Sequence, residues 1–195
     1  MKEDYYSLHA KEYEEETISL DRKETYSFLT PYLPKGKLSV LDVGFGFGRD
    51  RMYFLSLGYD VEGIDTSLPF VLDGRKRGLT CYKADRKSFI PSHPYDLIFA
   101  LASLHHLKRE EIYPVISRLL SYLKEDGILF LSWKYGKKED GYDQRGRYFT
   151  YLSDEDINGF PYRIKARRKT SSSLRKEDTF IDRILTEKDN KKRPF

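Results

Sequence analysis

At 195 residues the chain is long enough for one buried core and short for two, so a single domain is expected. Its longest apolar stretches fall well short of the roughly 20 residues that span a bilayer, and Met1-Lys2-Glu3-Asp4 opens no signal-like segment, so a cytoplasmic protein without a membrane partner is expected. The single cysteine, Cys81, cannot close an internal disulfide and argues against a thiolate-bound metal, while the net charge of +4 divides into +7 over residues 160–195 and −3 over the rest.

The chain opens with a helical pattern over Glu3–Thr17, and a second over Leu20–Leu33 is broken by Pro31 and Pro34. Residues 1–33 therefore read as an N-terminal helical cap. The α/β core, 34–187, then alternates strand and helix. Strands are expected at Ser39–Val43, Asp60–Ile64, Leu79–Lys83, Asp96–Leu101 and Ile128–Trp133. Helices are expected from Gly48 to Leu57, from Ser67 to Arg77 and from Arg109 to Leu123. Such alternation implies a mostly parallel sheet with helices on both faces. After Lys134 comes a charged loop, Tyr135–Arg147, long enough to fold over a site. A helix start at Ser153 and two last strands, Tyr162–Ser171 and Thr179–Thr186, complete the core, and residues 188–195 read as a flexible tail.

The most informative stretch is Val40-Leu41-Asp42-Val43-Gly44-Phe45-Gly46-Phe47-Gly48-Arg49. An apolar strand breaks there into three alternating glycines and then a helix, an arrangement that brings a ligand against backbone. The next strand ends in Asp65, 21 positions after Gly44, about where a nucleotide-binding α/β fold sets an acid against ribose hydroxyls. The third glycine arrives one residue sooner than in a dinucleotide fingerprint. Asp42, inside the strand end, would repel a pyrophosphate but suits a ligand carrying an ammonium and a sulfonium.

These two motifs resemble those of the class I S-adenosylmethionine-dependent methyltransferases, whose first motif has the form D-x-G-x-G-x-G. The likeness extends over roughly residues 5–157 and is greatest with the compact small-molecule, tellurite-resistance-like branch. It implies a Rossmann-like seven-stranded sheet, mostly parallel with an antiparallel edge strand, and S-adenosyl-L-methionine as cofactor. Backbone at Gly44, Phe45, Gly46 and Gly48 would contact its methionine portion, with Asp42 assisting the ammonium. Phe45 and Phe47 depart from the smaller residues usual in the family, so either their rings point away from the pocket or the methionine end is reshaped. Arg49 is a candidate for the cofactor carboxylate, with an ion pair to Asp50 as the alternative. Asp65 would hold the ribose, with helix capping as its structural alternative. Asp85 would face the adenine amino group, flanked by Thr66 and Arg86, unless it simply forms a turn. Ala100 and Leu101 fall where a strand end approaches the sulfonium methyl.

His105 and His106 are the candidate catalytic residues, a base being needed only for an acceptor of high pKa. Tyr5, Tyr6 and Tyr13 of the cap, with Arg147 and Tyr148 beyond the fifth strand, are candidates for the lid and acceptor pocket. The activity implied is in-line methyl transfer to a small-molecule acceptor. Three alternatives stay open: an RNA or protein methyltransferase using the basic face of Arg163, Lys165, Arg167 and Lys169, a nicotinamide oxidoreductase, and a non-catalytic S-adenosylmethionine-binding protein. Sequence does not specify the oligomeric state.

Overall fold

The computed structural model describes residues 5–158, 162–172 and 178–187. The tail expected at 188–195 lies outside them. The lid comprises α1 (Tyr5–Leu8), α2 (Ala10–Thr17) and α3 (Lys23–Leu29), the last followed by a 3₁₀ turn over Thr30–Tyr32. The single first helix expected from the sequence is thus two. His9 leaves the helical region with φ −117° and ψ 31°, its Nδ1 3.0 Å from Glu12 Oε2. The second expected helix is shorter as well, because Pro31 turns its end into the tighter coil.

The core follows as β1 (Ser39–Val43), α4 (Arg49–Ser56), β2 (Asp60–Asp65), α5 (Leu68–Lys76), β3 (Thr80–Lys83), β4 (Tyr95–Ala100), α6 (Arg109–Ser121) and β5 (Leu123–Lys134). A short hairpin, β6 (Gly141–Tyr142) and β7 (Tyr148–Phe149), begins inside the expected loop Tyr135–Arg147 and closes just beyond it. Asp143 builds its turn by accepting the backbone N–H of Arg145 and Arg147. Then come α7 (Asp154–Asn158), β8 (Tyr162–Ser171) and β9 (Thr179–Glu187).

Seven strands form one sheet in the order β3-β2-β1-β4-β5-β9-β8. Strands β1 to β5 pair in parallel, while β9 pairs antiparallel with both β5 and β8. The fold is therefore Rossmann-like, mostly parallel, with an antiparallel pair at one edge. β5 begins five residues before the expected Ile128, because Leu123 already pairs with Tyr95 ahead of a register shift.

Both faces of the central strands are buried, and period-two alternation divides them. On one face Leu41, Val43, Ile98, Ala100, Leu129, Leu131 and Trp133 pack against Ile112, Val115, Ile116 and Leu119 of α6. On the other, Val40, Leu97, Phe99, Ile128 and Phe130 pack with Phe54 of α4 and Leu29 of α3. Each such side chain contributes about 1.5–3 kcal/mol by burial. The second face turns polar toward one end, where Asp42, Ser132 and Asp182 occupy positions that continue its alternation.

Candidate functional site

The turn from β1 into α4 is held open by glycines. Gly44 has φ +74°, and a Cβ there would lie 2.5 Å from the Cβ of Ser103, so only a bare backbone fits beneath the loop after β4. Gly46 has φ +55° and faces Tyr13 of the lid, and Gly48 caps α4 with φ +74°. Phe45 and Phe47 are buried with Phe70, Val71 and Cys81 in a separate cluster under the turn. Arg51 lies 5.1 Å from the Phe45 ring centre, and a Cβ on Gly63 of β2 would approach that ring to 2.8 Å. The Phe45 ring thus fills volume that Gly63 of β2 and Gly74 of α5 leave empty, and Phe47 packs edge-on against Phe70, while both residues also line the cleft.

Asp65 ends β2 beside the turn. Its Oδ2 accepts the Gly46 N–H at 3.0 Å and its Oδ1 the Ser67 N–H at 2.8 Å. The carboxylate therefore braces the glycine turn and the start of α5 together, and Ser67, although it occupies the cap position, makes no side-chain cap bond. A carboxylate has about four lone-pair sites, so this bracing is compatible with accepting ribose hydroxyls as well.

Asp42 is 3% exposed, and its Oδ2 has no hydrogen-bond partner among the described residues. Burial, reinforced by Asp50 and Asp65, pushes its carboxyl well above the usual carboxylate range. A buried acceptor of that kind beside a glycine cradle fits a cationic aminoacyl group, which would draw the carboxyl back to its charged form.

Arg49 lines the cleft, and both its terminal nitrogens are engaged by the protein while its Nε has no partner among the described residues. Its Nη2 lies 2.9 Å from Asp50 Oδ2 and its Nη1 donates to the Thr17 carbonyl at 2.7 Å, fastening the lid to α4. The alternative ion pair is the one formed. Asp50 also accepts the Tyr26 hydroxyl at 2.6 Å.

Asp85 forms the turn after β3, accepting the Lys87 N–H at 2.8 Å. Thr66 is exposed, whereas Arg86 is half-buried with its Nε unpartnered. Burial lowers the Arg86 guanidinium, opposed by Asp85 and Asp65. Ala100 is fully buried, its side chain in the cluster that packs against α6. Leu101 and Ala102 line the cleft instead.

The cleft behind the glycine turn measures about 130 Å³, and Tyr13 and Arg22 of the lid line it together with Ser132 and Asp182. A second cavity of about 360 Å³ lies under Tyr6, Arg145, Arg147 and Phe149. The two share Tyr13, Ala102, Ser172 and Phe180. Ala102 has φ +51°, an uncommon backbone state for a residue with a side chain. Ser132, Asp182, Lys134 and Asp178 escaped sequence reasoning. For the first two, the available signal was a polar residue at an inward position of an apolar strand.

The histidines differ. His106 has both ring nitrogens engaged, Nε2 with Tyr6 Oη at 2.7 Å and Nδ1 with the Tyr148 carbonyl at 2.7 Å. His105 is 4% exposed, lines the second cavity, and has an unpartnered Nδ1. Burial holds both rings neutral, His105 well below its ordinary range and His106 at about 3, and the nearby Lys134, Arg86 and Arg147 add to the effect. Tyr5 stacks on His9, and its hydroxyl accepts from Arg145 Nη1 at 3.1 Å. The Tyr148 ring turns away to pack against the exposed Tyr142.

Residues 40–127 match the model of a methyltransferase domain. No curated protein matches the chain. Among solved structures, the 1,6-didemethyltoxoflavin-N1-methyltransferase of Burkholderia thailandensis, with bound 1,6-didemethyltoxoflavin and S-adenosylhomocysteine, is similar at 16% identity and a TM-score of 0.74, over 94% of this chain and 84% of that one. Magnesium protoporphyrin IX methyltransferase from Synechocystis PCC 6803, with bound S-adenosylmethionine, gives 18% identity and 0.67, over 95% and 99%. A protein of Pyrococcus horikoshii OT3 gives 16% and 0.71, over 96% and 100%. At such identities the likeness is one of fold. Taken with the matched segment, it leads to one statement: the chain has the Rossmann-like fold of S-adenosylmethionine-dependent methyltransferases, and its residues 40–127 are similar to a methyltransferase domain.

Proposed function

We propose that this methyltransferase binds S-adenosyl-L-methionine across the ends of β1, β2 and β4 and methylates a small-molecule acceptor held under the lid. The observation that carries the reading is the junction of the two cavities at Tyr13, Ala102 and Phe180, where a cleft beside the glycine turn meets a chamber roofed by Tyr6, Arg145 and Arg147. The cofactor supplies a methyl group on a sulfonium, already activated for displacement. Asp42 faces the aminoacyl end, Asp65 the ribose, and Asp85 with Thr66 and Arg86 the adenine. Lid residues exclude water and align the acceptor, which by itself can supply about 7–11 kcal/mol. Of the two histidines, His105 is the one to receive the proton that the acceptor atom gives up, since it lines the cavity while both ring nitrogens of His106 are engaged. His106 positions the lid through Tyr6. The two neighbours with small-molecule names, one methylating a toxoflavin precursor and one a porphyrin, agree with a small acceptor. Placement in the tellurite-resistance-like branch rests on the short chain and its helical cap.

The second reading, methylation of RNA or protein, draws on the basic face of β8, where alternate residues are exposed. Two of its four cations are already engaged by Asp154, Arg167 at 3.4 Å and Lys169 at 3.9 Å, which favours a guarded sheet edge. Transfer of labelled methyl from S-adenosylmethionine to a panel of small molecules, alongside total RNA and a protein extract, separates the two. Label in the small-molecule fraction is expected; label confined to polymer contradicts the proposal.

A further inference from the structure

The chamber beside Ala102 has a chemical bias that the fold does not prescribe. Its acids are committed. Asp178 holds the buried Lys134 ammonium at 2.7 Å with Lys138 at 4.0 Å, and Glu16 approaches Arg145 Nη1 at 3.4 Å. Asp143, behind the hairpin, accepts four N–H groups, from the Arg145 and Arg147 backbone and from Arg147 Nε and Nη2. Its cations are not exhausted. Arg145 makes its hydrogen bonds through Nη1 alone, and Lys134 makes one of the three that an ammonium can donate. The cavity therefore presents surplus donors.

The walls add a second preference. Tyr6, Tyr13, Phe149 and Phe180 line the same space. Lys134 Nζ stands 4.4 Å from the Phe149 ring centre, and Arg147 Cζ stands 5.1 Å from the rings of both Phe149 and Tyr5. A planar guest among these rings gains stacking and edge contacts, and the cations nearby favour one that bears negative charge.

We infer that the acceptor is a small aromatic acid, its ring among Phe149, Phe180 and the lid tyrosines and its anionic group on the surplus donors of Arg145 and Lys134. This rests on the cofactor reading above. A cationic guest would instead lie among three cations whose counter-ions are occupied, and an aliphatic acid would leave the aromatic walls unused.

The test is calorimetric titration of the whole protein, with and without saturating S-adenosylhomocysteine, using benzoate, benzamide and benzamidinium as probes of one shape and three charges. Benzoate is expected to bind about tenfold or more tightly than benzamide, because hydrogen bonds to a charged acceptor are roughly twice as strong as neutral ones. Benzamidinium is expected to bind most weakly. In Arg145→Gln, an exposed substitution at the cavity mouth, the gap between benzoate and benzamide should shrink several-fold. Benzoate binding no tighter than benzamide, tighter binding of benzamidinium, or an unchanged gap in Arg145→Gln overturns the assignment. A benzoate preference without any affinity for S-adenosylhomocysteine would uphold the acid site and sink the cofactor reading alone.

Discussion

Tyr6 and His106, one hundred positions apart, are joined by a 2.7 Å hydrogen bond between the tyrosine hydroxyl and Nε2. The direction is settled by the other nitrogen. Nδ1 sits 2.7 Å from the Tyr148 carbonyl, which can only accept, so Nδ1 carries the proton and Nε2 accepts from Tyr6. One neutral imidazole thus ties the lid, the loop after β4 and the β6–β7 hairpin together. Burial also holds the Tyr6 hydroxyl protonated, well above its ordinary range, which keeps the donor in place.

Removing that donor should loosen the lid. In Tyr6→Phe the buried Nε2 of His106 loses its partner, at a cost of about 1–3 kcal/mol. Urea unfolding should show that loss, and amide exchange over residues 5–17 should quicken by tenfold or more. Exchange rates equal to wild type would mean that the bond does not hold the lid.

Acid should destabilise the protein before most carboxylates titrate. The folded state holds His105 and His106 far below the ordinary value of 6.5, so as pH falls through that value the unfolded chain gains protons that the folded chain does not. Stability contributed in this way is complete above pH 6.5 and is lost toward pH 3, by up to about 1.4 kcal/mol per pH unit for each ring. Urea midpoints measured between pH 6.5 and 5 should fall in wild type, by less than two rings alone would give because the raised carboxyls of Asp42 and Asp182 act in the opposite sense, and should fall less steeply in His106→Asn. Parallel slopes in the two proteins would contradict the burial account.

The glycines of the turn should not be equivalent. Gly44→Ala combines positive φ with a 2.5 Å approach to Ser103, whereas Gly46→Ala meets only Tyr13 at 3.5 Å. Backbone strain accounts for about 1–2 kcal/mol in either variant, and crowding adds about 1–3 kcal/mol for Gly44 alone. Chemical denaturation should rank Gly44→Ala as the less stable, and the reverse ranking would count against the loop geometry.

Arg49 offers a check on how the lid is fastened. Arg49→Met removes its bonds to Asp50 and the Thr17 carbonyl, leaving Asp50 with Tyr26. A stability loss of about 1–3 kcal/mol is expected, with little change in cofactor affinity. A large fall in S-adenosylhomocysteine affinity at unchanged stability would return Arg49 to the ligand.

Much of this was legible in the chain. The strand, glycine turn and acid at Asp65 depend on local spacing, and parallel pairing of β1 with β2 makes that spacing a contact, Asp65 to Gly46. Alternation in Tyr162–Ser171 reads directly as an edge strand with one basic face. What stayed hidden depends on distant partners. Lys134 and Asp178 meet across 44 positions, and nothing local distinguishes them from solvated charges. Nor does local sequence separate His105 from His106; their surroundings diverge because a 3₁₀ turn over Leu104–His106 sends one ring to Tyr6 and sets the other against the second cavity. The fate of Arg49 likewise waited on where the lid would lie.

The most direct test of the central claim is calorimetric titration of the pure folded protein with S-adenosylhomocysteine, repeated on Asp65→Ala. Saturable binding of one molecule per chain is predicted, weakened roughly 10- to 150-fold by the substitution, since a charged hydrogen bond contributes about 1.5–3 kcal/mol. No heat of binding at millimolar ligand, or equal affinity in the two proteins, would contradict a cofactor cradled between the glycine turn and Asp65.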